Sequence, residues 1–163
     1  MAFILDSPAF GDGDPMPTSY RQSGENRSPP LEWRDPPPGT LSFALVLESP
    51  NESGRPVCHW AVYDIPADRR QLPQGDGAPT PEPELHQAIN DFGHAAYDGP
   101  LAARQDVRRT YRFRLAALDV PQLDIPPTAT AVAAWQAAKA HLIREAELVS
   151  IDPPAASRPR SGS

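Results

Sequence analysis

The run Pro56-Val57-Cys58-His59-Trp60-Ala61-Val62-Tyr63-Asp64-Ile65-Pro66 reads as a buried strand. Trp60, Val62 and Tyr63 favour extended backbone, and prolines close the run at both ends, where a central strand would lose a ladder donor. Side chains alternate along a strand, so His59, Ala61, Tyr63 and Ile65 are expected on one face and Trp60, Val62 and Asp64 on the other. This sets His59 at the open end of a mostly apolar row, where a fold places a polar group at the mouth of a pocket. Leu41 to Glu48 is a second core strand, with Phe43, Leu45 and Leu47 on one face. Arg109 to Leu118 is a third. There Arg109, Tyr111, Phe113 and Leu115 share a face, and Arg112 and Arg114 are expected to point into solvent. Phe3-Ile4-Leu5 and Leu31-Glu32-Trp33 are shorter extended pieces.

Helical periodicity occurs once, from Thr128 to Glu147. The segment is alanine-rich, with Val132, Trp135, Lys139, Leu142, Ala146 and Val149 tracing a loose stripe. Thr128 or Thr130 can cap its start. Residues 67–87 read as a long surface excursion. Asn90-Asp91-Phe92-Gly93 and Tyr97-Asp98-Gly99-Pro100 read as tight turns. One domain is expected over residues 1–152, followed by a disordered Pro/Ser/Arg tail at 153–163.

Composition sharpens this picture. The chain has 163 residues and 22 prolines spread along it, which excludes long helices over most of its length and predicts a loop-rich, mainly β protein. A net charge of −6 argues against nucleic-acid binding. Cys58 is the only cysteine, so an internal disulfide or a cysteine zinc cluster is impossible, and beside Trp60 it reads as a small apolar residue. The N-terminus lacks the basic start of a signal peptide, and no apolar stretch approaches the ~20 residues that span a bilayer. A cytoplasmic protein without membrane insertion is the expectation. Asp12 and Asp14 are spaced like the start of a calcium loop, but no glycine and bidentate glutamate follow in register, so Asx turns are preferred. Nucleophile elbows, zinc helices and phosphate loops are absent. His59, His86, His94 and His141 form no familiar metal set, and the last three read as surface residues. No metal or cofactor is expected.

A series of short pieces carries more information. They are Ser28-Pro29-Pro30-Leu31-x-Trp33, Pro38-Gly39-Thr40-x-Ser42, Pro50, His59-Trp60, Asn90-Asp91-Phe92-Gly93, Tyr97-x-Gly99-Pro100 and Tyr111-x-Phe113-x-Leu115. In this order, over roughly residues 3–150, they resemble the phosphatidylethanolamine-binding protein family, and most of all its bacterial branch similar to Raf kinase inhibitor protein. The resemblance implies a large central β-sheet flanked by a smaller sheet and few helices, one of them C-terminal. It also implies a small cavity at the sheet edge that binds phosphate, acetate or a phospholipid headgroup, lined here by Pro50, His59, Gly99, Pro100 and Tyr111. The family usually has Asp-Pro-Asp where this chain has Ser49-Pro50-Asn51, and histidine where it has Arg109. Either the site has decayed, or it is retuned for anions with Arg109 as an added ligand, since strand alternation puts Arg109 on the face of Tyr111 and guanidinium grips phosphate or carboxylate with paired bonds. The leading expectation is a non-enzymatic protein that binds a small anion through His59, Arg109 and Tyr111, with a kinase or protease as the regulated partner by family analogy. The alternatives are a small hydrolase or lyase using His59 as base, which lacks an evident orienting carboxylate, and a structural module, expected as a homodimer.

Overall fold

A computed structural model describes residues 2–50, 55–78, 86–100 and 109–152. The elements in chain order are β1 (Ile4–Asp6), a 3-10 turn (Thr18–Tyr20), β2 (Leu31–Arg34), β3 (Ser42–Ser49), β4 (Val57–Pro66), β5 (Gln71–Leu72), β6 (His86–Gln87), β7 (Arg109–Leu118), α1 (Ala131–Lys139) and β8 (Leu142–Asp152). The tail at 153–163 lies outside the described residues.

The three strands read from the sequence form the middle of one antiparallel sheet, ordered β6-β4-β3-β7-β8. A smaller antiparallel sheet, β1-β2-β5, covers one face. Between the sheets lie Leu5, Trp33 and Leu72 from the small one and Phe43, Leu45, Trp60, Phe113 and Leu115 from the large one, all buried. The other face carries smaller residues. Ala44, Ala61 and Ala116 meet Ala131, Ala134 and Ala138 of α1, and these short side chains let the helix lie close to the sheet. The fold is thus mainly β, as expected, with one α-helix among the described residues. The described parts of the 67–87 stretch, residues 67–78 and 86–87, are not wholly at the surface, because they contribute β5 to one sheet and β6 to the other, and Leu72 is fully buried; residues 79–85 lie outside the described residues.

The helix is shorter than the sequence stripe suggests. Thr130 caps it, its Oγ1 accepting the Ala133 N–H at 3.2 Å, but it stops at Lys139. From Leu142 the chain is a strand paired along the whole of β7. Ala146, Leu148, Ser150 and Asp152 are buried at a spacing of two, which a strand satisfies and a helix does not. β7 also presents a row of backbone donors and acceptors that must be paired, and β8 pairs them. Arg114 is likewise not a solvated residue. It bonds Glu145 at 2.6 Å and Glu48 at 2.9 Å, and its guanidinium lies 5.2 Å from the centre of the Trp135 ring, so it joins β3, β7, β8 and α1. Arg112 does face solvent, 54% exposed beside Glu147.

Two irregularities in the β3–β4 ladder overturn the simple alternation. Glu48 pairs with Cys58 but Leu47 with Trp60, so His59 is an extra residue on β4. A second shift falls between Phe43 and Leu45, opposite Tyr63 and Asp64, and Asp64 adopts φ 56°, a left-handed conformation that aspartate tolerates. Ile65 consequently packs between the sheets with Trp60 and Val62 rather than beside Tyr63.

Candidate functional site

The first bulge decides where His59 points. Cys58 packs toward α1 and Trp60 into the inter-sheet core, while the His59 ring stands edge-on to Tyr111, 5.7 Å between centroids, on the inter-sheet side. His59 and Trp60 therefore share a face that alternation assigns to only one of them. Tyr111 is brought there by β7. One step beyond the Glu48–Arg112 pair, Ser49 at the end of β3 comes level with it.

His59 is 3% exposed and Ser49 4%, so the histidine lies beneath the surface rather than at an open mouth. Its Nδ1 lies 3.1 Å from the Asp98 carbonyl and its Nε2 2.9 Å from Ser49 Oγ. A carbonyl can only accept, so Nδ1 carries the proton, Nε2 is a bare lone pair, and the Ser49 hydroxyl donates to it. Burial holds the imidazole below its ordinary pKa, against the opposing pull of the Asp98 and Gly99 backbone and of the Asp91 and Asp98 carboxylates. His59 is neutral at pH 7.

The two turns supply the rest of its setting. Asn90 Nδ2 shares its two hydrogens among the His59 carbonyl at 3.0 Å, the Ala96 carbonyl at 2.9 Å and Asp98 Oδ2 at 2.7 Å, while its Oδ1 accepts from the Phe92 and His94 N–H groups. Asp91 ties the turn to β4 by accepting the Cys58 N–H at 2.9 Å, and the Phe92 ring lies 5.4 Å from that of His59. Asp98 also receives Asn26 at 3.1 Å and His94 at 2.7 Å. Burial raises the Asp98 pKa, but these three hydrogen bonds outweigh it and hold the carboxylate below the usual range. Sequence reading marked both turns, yet not Asn90, Phe92 or Asp98 as neighbours of His59. The available signal was a pair of polar residues eight apart, each in a glycine-containing turn.

Arg109 and Tyr111 converge as β7 alternation requires. Burial raises the Tyr111 pKa, Asp152 adds to the rise, and the neighbouring Arg109 guanidinium opposes it. Arg109 Nε is buried without a hydrogen-bond partner among the described residues. Asp152 sits directly across from Arg109 on β8, but both its oxygens are taken by Arg21 in a forked ion pair, and Arg21 Nε bonds the Met16 carbonyl at 2.8 Å. The carboxylate opposite Arg109 is thus engaged by Arg21, and among the described residues none is seen to pair with the Arg109 guanidinium.

The other expected lining residues divide. Pro100 is buried and its carbonyl accepts the Gln22 N–H at 2.9 Å, whereas Pro50 is exposed. Gly99 is required for packing rather than for the approach of an anion, since a Cβ there would lie 1.9 Å from the Tyr20 carbonyl oxygen. Asn51 lies outside the described residues. Burial pushes the Cys58 thiol up to about 11, as suits an inert apolar residue. Asp12 and Asp14 hold their loop against β8 and make no cation cage: Asp12 Oδ1 accepts the Val149 N–H and Asp14 Oδ2 the Gly11 N–H. No cluster of three metal-ligating side chains occurs among the described residues. His86, His94 and His141 are surface residues beside Asp64, Asp98 and Asp119, respectively.

A sequence profile described as phosphatidylethanolamine-binding protein matches residues 6–151. The chain belongs to the phosphatidylethanolamine-binding protein family. Related members include UPF0098 proteins of Aquifex aeolicus, 38% identical over 76% of this chain and 72% of that one, and of Methanothermobacter thermautotrophicus, 35% identical over 90% and 96%. Among solved structures of the family, YbcL of Escherichia coli superposes with a TM-score of 0.86 at 28% identity, covering 93% of this chain and 98% of that one. The homologue CT736 of Chlamydia trachomatis gives 0.79 at 30%, covering 93% and 97%.

Proposed function

We propose that this family member is a non-enzymatic binding protein that takes a small anion of phosphate or carboxylate type beside Arg109, Tyr111 and Ser49, with His59 as the fixed back of the site. The observation that carries this reading is the buried, partnerless Nε of Arg109. A guanidinium N–H cut off from water without an acceptor is costly, and two charges about 4 Å apart attract by several kcal/mol at an effective dielectric near 20, before desolvation is subtracted. An anion supplies the missing partner. Regulation of a kinase or protease finds no residue in the site that argues for it, so the reading is confined to the small ligand.

The Ser49–His59 hydrogen bond favours one competing reading, acyl transfer with Ser49 as nucleophile. The orienting group absent from the sequence is present as the Asp98 carbonyl. A neutral carbonyl stabilises imidazolium less than a carboxylate does, and burial already disfavours the charged ring, so His59 is a poor base. Titrating phosphate into the 15N-labelled protein tests the binding reading. Saturable shifts around residues 90–100 and 109–111 are expected at millimolar ligand or below, and Arg109→Gln should abolish them. Unmoved spectra would remove the proposal. Serine-directed fluorophosphonate labelling of Ser49 would favour acyl transfer instead.

A further inference from the structure

We infer that the outward face of the small sheet is a second binding site, and that its ligand is a short peptide with free ends, about two residues long. The site shares no residue with the anion site proposed above, and neither reading depends on the other.

Alternation sends Leu5, Trp33 and Leu72 into the core, so Ile4, Asp6, Glu32 and Arg34 stand on the opposite face. Residues 68–70 form a wall beside this face, and a cleft of about 450 Å³ lies between them. The wall is fixed in place. The Arg70 carbonyl accepts the Trp33 N–H at 2.9 Å, Arg70 Nη1 donates to the carbonyls of Ala67 and Arg69, and Arg69 reaches Asp76 at 3.3 Å. Three carboxylates, from Asp6, Glu32 and Asp68, and three guanidiniums, from Arg34, Arg69 and Arg70, line the cleft, so it carries no net charge.

The strand register nevertheless separates the two signs. Asp6 is directly opposite Glu32, whereas Arg34 is directly opposite Ile4. Carboxylates facing each other across a strand pair repel, and among the described residues the side chains of Asp6, Glu32 and Arg34 have no hydrogen-bond or ion-pair partner. Glu32 and Arg34 are two positions apart on β2, about 6.6 Å at the rise of a strand. A simple cation at the acidic pair leaves Arg34 unmatched, and a simple anion on Arg34 leaves the carboxylates facing each other. A ligand carrying both charges answers both. In a single amino acid the ammonium and carboxylate are only about one residue length apart, whereas an extended dipeptide spans about 7 Å. Its ammonium fits between Asp6 and Glu32, and its carboxylate takes the paired donors of Arg34.

Titration of alanyl-alanine into the 15N-labelled protein at low salt tests this, with N-acetyl-alanyl-alanine, alanyl-alanine amide and free alanine for comparison. Saturable shifts are expected around residues 4–6, 32–34 and 69–71 at millimolar dipeptide. Blocking either end, or shortening to alanine, should weaken binding about threefold to tenfold. Arg34→Gln should lower the affinity for the dipeptide to that for its amide, and Glu32→Gln should lower it toward that for the acetylated form. Both side chains are exposed, so both variants should fold and give the same phosphate titration as the wild type. Absence of shifts on this face, or equal affinity for all four compounds, would overturn the inference while leaving the anion site untouched. Loss of the dipeptide shifts in Arg109→Gln would place the peptide in the anion site and overturn it as well.

Discussion

A single added residue in β4 turns the His59 ring from the α1 side of the sheet to the Tyr111 side. Its neutral state has a measurable consequence. Because burial lowers its pKa, the unfolded chain binds a proton that the folded protein refuses, in the window between the folded value and the ordinary value near 6.5. The His59 contribution to stability is therefore present above that window and declines as pH falls through it. The groups facing the ring are Ser49, Tyr111 and Phe92, with the Asp91 and Asp98 carboxylates limiting the shift. Denaturant midpoints at about pH 7.5 and pH 5.5 should fall more steeply for the wild type than for His59→Gln. Equal slopes would mean that His59 titrates alike in both states. Much of this residue-level picture was legible. Tyr111 and Arg109 share a face because β7 is regular there, whereas His59 was assigned the wrong neighbours because a bulge breaks the alternation and leaves no sign in a single sequence. Ser49 entered only as a departure from the family pattern, since nothing in its neighbours announces a partner ten residues on.

At the level of elements, the three long strands are where their β-branched and aromatic content places them. The error lies at 142–149. A run of alanine followed by Leu142, Ala146 and Val149 fits a loose 3.6-residue period, and the competing period-two burial of Ala146, Leu148 and Ser150 becomes decisive only once β7 is known to need an edge partner. The helix that remains is only Ala131–Lys139, where the Thr130 hydroxyl accepts the Ala133 N–H and the Ile89 carbonyl accepts the Ala131 N–H. Thr130→Ala should cost about 0.5–2 kcal/mol in equilibrium unfolding, with the anion titration unchanged because α1 lies on the opposite face of the sheet from Tyr111. A loss of anion affinity in that variant would show that the two faces are coupled.

For the molecule as a whole, Arg21 and Asp152 join the N-terminal loop to the last residue of β8, beside the candidate site. The pair is largely buried, with side-chain exposures of 13% and 2%, and hydrogen bonds to Asp152 raise the Arg21 pKa despite burial. Replacing one partner strands the other charge. Arg21→Met should destabilise the protein by about 3–5 kcal/mol, and adding Asp152→Leu should recover much of that loss. A Tm unchanged in the single variant would contradict the assignment. The same pair orders events during synthesis. The two residues lie 131 positions apart, so at roughly 5–20 residues per second the arginine waits on the order of ten seconds after it is made before its carboxylate leaves the ribosome. Until then Arg109 has no β8 residue opposite it, so β7 gains the last of its edge pairing only once β8 has been translated.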